Sequence, residues 1–229
     1  MQARRLEVEW LDELAADDPR ARRSRADLRR VNGLMGNARI VAAALKPWLA
    51  QPPRTMVELG AGDGAFALRV ARLVRAPALE MTLVDRQDIV SAETLAALKA
   101  AGVAATVAQD DVFAWLARDG PRVDVVMANL FLHHFEDEAL ARMLSLAARR
   151  ARIFVACETR RSAFALAGAR MLGAIGCNDV TLHDAEVSIR AGFRDGDLSA
   201  LWPAGASWTL REEARGLFSH LFAARRLDA

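Results

Sequence analysis

Between positions 55 and 157, short apolar runs alternate with longer segments whose apolar residues recur at helical spacing. The runs predict strands at 55–59, 79–84, 103–108, 123–128 and 153–157. The intervening segments predict helices at 65–74, 91–101, 112–118 and 137–149, with Ser91 placed to cap the second of these. Val, Ile, Leu and Met follow one another within several strands, without the apolar–polar alternation of a sheet with one wet face. That texture belongs to strands buried on both sides, and strands separated by helices imply right-handed crossovers and a mostly parallel sheet.

The flanks read differently. Residues 1–50 read as helical. Leu6, Trp10, Leu11 and Leu14 share one face, Pro19 interrupts, Asn32-Gly33 marks a break, and Ile40, Val41, Ala44 and Leu45 outline a second helix ending near Pro47. The turn Gln51-Pro52-Pro53 closes this segment. After the last apolar strand the pattern predicts a helix at 162–174, an irregular stretch at 176–188 and a short helix ending before Pro203. Strands at 207–212 and 217–224, with Gly216 between them, read as an antiparallel pair. The expected organisation is an N-terminal helical cap (1–50) and one α/β domain (51–229), with an insertion at about 160–204.

Composition narrows this picture. Hydrophobic residues form 53% of the 229-residue chain, enough for a sizeable core, and the formal net charge of +2 gives no global case for nucleic acid. Arginines crowd residues 20–30 (Arg20, Arg22, Arg23, Arg25, Arg29, Arg30), which reads as a solvated helix face, with an acidic partner as the sharper alternative. Cys157 and Cys177 make no disulfide framework, no apolar run reaches the ~18 residues of a membrane span, and residues 1–18 lack the apolar core of a signal peptide. A cytoplasmic location is the expectation. There is no tyrosine, so proton acceptors are limited to carboxylates, two cysteines, two lysines and the four histidines.

Candidate chemistry begins at the loop Glu58-Leu59-Gly60-Ala61-Gly62-Asp63-Gly64. Glycines between a strand and a helix allow a tight turn and close approach of a ligand to the backbone. Alone the loop fits any nucleotide. Asp85, at the end of the second strand, can accept both hydroxyls of a ribose, or can be a turn acid. Asp111, past the third strand, can take an adenine amino group with Val112 against the ring, or can cap the next helix; Asp110 is its rival. Asn129 ends the fourth strand. All four elements sit at the carboxyl ends of strands, where ligands of open α/β sheets bind.

These motifs resemble, in order, those of the class I S-adenosylmethionine-dependent methyltransferases: Val57 to Gly64, Val84-Asp85, Asp110-Asp111 and Asp124 to Asn129, over roughly residues 54–158. The resemblance implies a Rossmann-like, seven-stranded, mostly parallel sheet with an antiparallel last strand and helices on both faces. It implies S-adenosyl-L-methionine as donor and S-adenosyl-L-homocysteine as product. Glu58, Gly60, Ala61, Gly62 and Gly64 would hold the methionine part, Asp85 the ribose and Asp111 with Val112 the adenine. Arg86, Asp110, Asn129 and Leu130 complete the expected cofactor set. Arg29 to Gly36, Leu132-His133-His134-Phe135 and Thr181-Leu182-His183-Asp184 are similar to small-molecule methyltransferases of bacterial polyketide-type pathways.

On the acceptor side, a protonated hydroxyl such as a phenol needs a base, and histidine suits that work. His134, followed by Phe135, is the expected catalytic residue; packing at the helix start is its alternative. His183 is the second candidate, in the insertion where a lid would lie, and His220 reads as structural. Leu34, Met35, Phe131, Phe164, Met171 and Trp202 are candidates for an apolar lining. No His/Cys/Asp/Glu cluster has metal-ligand spacing, so no metal is expected. The implied reaction is O-methylation of a phenol or polyketide-like hydroxyl on a small-molecule acceptor. N- or C-methylation stays open, and methylation of nucleic acid or protein is the more distant alternative. Oligomeric state, monomer or homodimer, is left open.

Overall fold

The computed structural model describes residues 3–15, 17–49, 51–203, 205 and 207–227. Seven strands form one sheet: β1 Thr55–Leu59, β2 Leu79–Asp85, β3 Val103–Gln109, β4 Val123–Asn129, β5 Ala151–Thr159, β6 Trp208–Arg215 and β7 Ser219–Arg226. Their order is β3-β2-β1-β4-β5-β7-β6, with β7 antiparallel to both its neighbours and the other pairs parallel. The chain runs outward from β1 to β3, then returns to place β4 on the other side of β1. That reversal opens a crevice at the carboxyl ends of β1 and β4.

Helices α3 Asn37–Leu45, α4 Ala65–Val74 and α5 Ala92–Ala100 cover one face, burying Val41, Leu45, Val70 and Leu98 against Met56, Leu83, Val125 and Val155. Helices α6 Val112–Ala117, α7 Asp137–Arg150 and α10 Asp197–Leu201 cover the other, with Leu116, Leu140, Met143 and Leu198 against Val57, Leu59, Phe154 and Phe222. Two apolar faces explain the unbroken apolar runs of the central strands. The expected cap on α5 is present: Ser91 Oγ accepts from Thr94 N–H at 3.1 Å. Trp202, a candidate for either a pocket lining or core, is core on this second face, packed against Phe154, Phe222 and Trp208.

The flanks depart from expectation in three places. Residues 3–9 are not helical; only the single turn α1 Trp10–Glu13 forms, because a helix this short has no stability of its own. The break expected at Asn32-Gly33 is absent: helix α2 runs Pro19–Met35, with Asp18 as its cap. Gly33 keeps helical backbone, and the Arg69 guanidinium lies 3.3 Å from where a Cβ would stand. The helix stops at Gly36, whose φ of +71° is a left-handed conformation that glycine adopts without strain. Finally, the stretch expected to be irregular is helix α9 Asp179–Ala191, capped by Asn178 and preceded by α8 Ala163–Arg170.

Helix α2 is tied to α9 through Asp27, which is buried. Its carboxylate accepts from the Asn178 N–H at 2.9 Å and pairs with Arg30 at 3.2 Å and Arg23 at 3.5 Å. Arg23 and Arg30 also donate to the carbonyls of Gly176 and Ile175. Arg23 and Arg30 are thus bonded within the molecule while about half of each side chain stays exposed. Removing the acceptor leaves the Asn178 N–H unsatisfied, so Asp27→Ala is expected to cost about 2 kcal/mol. A urea titration should show a lower midpoint at unchanged slope; a midpoint equal to the parent's would contradict the clamp.

Candidate active site

The glycine loop leaves β1 and enters α4. The N–H groups of Gly60 and Ala61 both donate to Val84 O, and Gly62 N–H donates to Asp85 Oδ2 at 2.8 Å. Asp85 Oδ1 accepts from Gln87 N–H at 2.9 Å. Asp85 therefore shapes the loop from the end of the adjacent strand, while each carboxylate oxygen keeps a further lone pair. Gly60 has a φ of +66°, and a Cβ there would meet the Phe131 ring at 2.1 Å. Only glycine lets that ring lie over the loop. By contrast, a Cβ at Gly62 would meet nothing within 4 Å.

Beneath the loop Glu58 is fully buried, and its Oε2 has no partner. Burial pushes its carboxyl well above the usual range; the charges of Asp63 and Asp85 add to this, and hydrogen bonding from the Ala67 N–H offsets it only in part. A buried carboxyl with an idle oxygen fits a cationic amino group brought by a ligand.

The other expected cofactor residues line the same ends of the strands. Asp111 caps α6, accepting from Phe113 and Ala114 N–H through Oδ1, so the capping alternative is realised and one oxygen stays uncommitted by that cap. Asp110 accepts from Asp111 N–H and pairs with Arg118. Val112 is buried. The Arg86 carbonyl accepts from Gln109 at 3.3 Å. Asn129 Oδ1 accepts from Asn37 Nδ2 at 2.9 Å, which ties α3 to the crevice. Leu130 takes a φ of +51°, unusual for a branched residue, and turns the chain sharply after β4. Arg29 of α2 pairs with Asp63 in the loop at 3.1 Å. Two surface hollows lie elsewhere, along the edge of β3 and at the amino ends of the central strands.

Beyond Leu130 the chain makes one 3₁₀ turn, Leu132–His134. It is held from β5 by Glu158, fully buried, whose Oε1 accepts from the N–H groups of Phe131 and Leu132 at 3.0 Å each. Glu158 Oε2 lies 2.7 Å from His133 Nδ1, and Glu9 Oε1 lies 3.4 Å from His133 Nε2. Burial opposes charge on His133, but its hydrogen bonds to Glu158 and Glu9 outweigh that and raise it to about 9. Burial likewise opposes charge on Glu9, yet His133 and His134 and the Ser188 hydroxyl hold it at about 2.

Glu9 belongs to an N-terminal strap. The first N–H groups of α1 find their acceptor on another helix: Asp184 of α9 takes Trp10 N–H at 2.8 Å and Leu11 N–H at 3.1 Å. His183 Nδ1 lies 2.9 Å from the same Asp184, and its ring stacks on Trp10 with centroids 3.9 Å apart. Arg4 reaches the carbonyls of Phe135 and Ala191.

The His134 side chain is 30% exposed, its ring 6.3 Å from Phe131 and its Nδ1 3.8 Å from Asp12. Burial first, and the charge on His133 second, lower its pKa, while Glu9 and Asp12 oppose the shift. His183 has no contact with His134 among the described interactions. His220 is buried on Glu212 at 2.8 Å, a structural role as expected. Of the expected lining, Phe131 is in the crevice, whereas Leu34, Phe164 and Met171 are exposed. Sequence reasoning missed Glu9 and Glu158, and spacing along the chain did not show that Glu9, His133 and His134 form one group of possible metal ligands. Only the fold brings residue 9 back to residue 133.

A reversed-order sheet ending in an antiparallel pair is a Rossmann-like fold that solved methyltransferase structures share. Residues 56–152 match the family model described as a methyltransferase domain. Solved structures agree in fold. The mitomycin 7-O-methyltransferase MmcR is 21% identical, with a TM-score of 0.61 over 94% of this chain and 60% of that one. The plantazolicin methyltransferase BpumL, in complex with SAH, is 11% identical, with a TM-score of 0.68 over 92% and 91%. An O-methyltransferase family protein from Burkholderia thailandensis is 18% identical, with a TM-score of 0.59 over 92% and 61%. The chain thus spans about 60% of the length of MmcR and of the Burkholderia protein. No curated protein sequence matches it.

Two outcomes test the site. Glu58→Gln removes a buried, unpaired acid, so Tm should stay unchanged or rise. Affinity for S-adenosylhomocysteine by calorimetry should fall about tenfold or more, the loss of one charge-assisted hydrogen bond. Unchanged affinity would remove Glu58 from the donor site. The strap should respond to pH. His133 is raised in the folded state, so its contribution is full below 6.5 and fades as pH rises through about 9; Glu9 is lowered, so its contribution fades only below 4.5, towards about 2. Glu158, Asp12 and His134 face the same cluster. The fluorescence difference between wild type and Trp10→Phe, which reports the Trp10–His183 stack, should change as pH passes about 9. A difference constant from pH 6.5 to beyond 9 would contradict the clamp.

Proposed function

We propose that this protein methylates a hydroxyl, a phenol or polyketide-like enol, on a small molecule held between the crevice and the strap. The bound donor supplies an electrophilic methyl on a sulfonium centre. Glu58, Asp85, Asp111 with Val112, and the glycine loop hold it by its amino group, ribose and adenine. The rest of the task is to orient an oxygen in line with that methyl and to take its proton.

The observation that carries this reading is His134. Its ring adjoins Phe131, and Phe131 lies on Gly60, so a histidine stands one ring away from the donor loop. The lowered pKa keeps it neutral near pH 7, which is the state a base needs. Phe131 and Phe135 supply aromatic surface beside it, their centroids 5.1 Å apart. His183, stacked under Trp10 and joined to Asp184, serves the strap instead. Solved structures of similar fold include methyltransferases named for mitomycin, plantazolicin and magnesium protoporphyrin IX, which supports a small acceptor. Arg23, Arg29 and Arg30 of α2, bonded within the molecule, give little support to nucleic acid.

Incubation with methyl-labelled S-adenosylmethionine and a panel of phenols and polyketide-like acids, followed by mass spectrometry, should find label on oxygen. Label on nitrogen or carbon only would overturn the hydroxyl assignment. On an identified acceptor, His134→Ala should lower kcat about a hundredfold or more, with S-adenosylhomocysteine affinity unchanged. Wild-type turnover in that variant would remove His134 as the base.

A further inference from the structure

We propose that Glu9, His133 and His134 form a binding site for a divalent transition cation of the zinc type, which locks the N-terminal strap over the crevice. One ring nitrogen of each histidine and one carboxylate oxygen of Glu9 all lie within 4.8 Å of one another. His133 Nε2 and Glu9 Oε1 are 3.4 Å apart, about the separation of two donors each ~2.1 Å from a tetrahedral ion. The two imidazole rings belong to consecutive residues yet lie side by side, centroids 4.4 Å apart and tilted by 30°. The ion pair between His133 and Glu9 does not engage the His134 ring; a shared cation uses all three.

The surroundings have the features that such sites carry. Glu158 sits on His133 Nδ1 at 2.7 Å, so that with Nδ1–H donated to the carboxylate, Nε2 becomes a ligand once a cation displaces the proton it shares with Glu9. Glu158 is itself fixed by the Phe131 and Leu132 N–H groups. The Ser188 hydroxyl donates to Glu9. Two imidazoles and a carboxylate favour zinc, cobalt or nickel over magnesium and calcium, which prefer all-oxygen shells. Three protein ligands leave a position open to water. Because Glu9 comes from the strap and the histidines from the turn after β4, occupancy joins the two.

One consequence rests on the reading of His134 as the base: a bound cation takes its lone pair, so zinc should slow methyl transfer. The test begins with chelator-treated protein titrated by calorimetry with zinc chloride, and separately with magnesium chloride. One zinc per chain is expected, with no magnesium binding. Glu9→Gln and His134→Gln should each weaken zinc at least tenfold. Cobalt(II) should give visible absorption bands of a nitrogen–oxygen site in the wild type, and Glu9→Gln should alter them, a readout that compares coordination in folded protein. Absence of stoichiometric zinc, or equal affinity in both variants, overturns the site. Zinc bound as described without any slowing of transfer leaves the site standing and overturns His134 as the base; absence of zinc binding leaves the base untouched.

Discussion

A single buried carboxylate organises the turn after β4 and the strap that packs on it. Glu158 stands at the end of β5, fully enclosed, and reaches across to the turn that follows β4. It satisfies two backbone N–H groups there and fixes the ring of His133. Buried charge is tolerated only when it is paired and hydrogen-bonded, and both conditions are met by elements that must therefore stay in register. The β4–β5 pairing sets that register, with Asn129 opposite Cys157. From this one group the order runs outward: Glu158 holds His133, His133 holds Glu9, and Glu9 draws the strap over the crevice while α9 caps α1 through Asp184. Phe131 is positioned by the same turn and lies on Gly60, which joins the acceptor side to the donor loop.

The donor side obeys a different constraint. The residues expected there come from the ends of β1, β2, β3 and β4, aligned by the parallel register of the sheet, with Asn37 and Arg29 of the N-terminal flank set against Asn129 and Asp63. Glu58 is the costly member: a carboxyl under the loop with an oxygen that nothing in the protein satisfies. Such a group destabilises the chain alone and becomes useful when a cation meets it.

The legibility of these two halves in the sequence follows from the same physics. Strands β1, β4 and β5 are buried on both faces, so their apolar runs stand out, and the loop and its acids fall at strand ends that the pattern locates. The strap is not legible because its single helical turn exists only through contacts with residues far along the chain, Asp184 and His133. Helix α9 is obscured for a related reason. Two of its buried positions, Thr181 and Asp184, are polar, bonded to Ser24 and to the backbone of α1, and they interrupt the apolar stripe that marks an amphipathic helix. Gly33 misled for the opposite reason: a glycine reads as a break, but Arg69 packs over it and the helix passes through. Glu158 carries no local signature at all, since its role depends on which strand lies next to β4.

The account rests on the crevice being a methyl-donor site rather than a generic nucleotide site. The most direct measurement is calorimetry of the wild-type chain with S-adenosylhomocysteine and, separately, with NAD. One-to-one binding of S-adenosylhomocysteine, with no heat from NAD beyond dilution, is the expected result. Binding of NAD without binding of S-adenosylhomocysteine would contradict it.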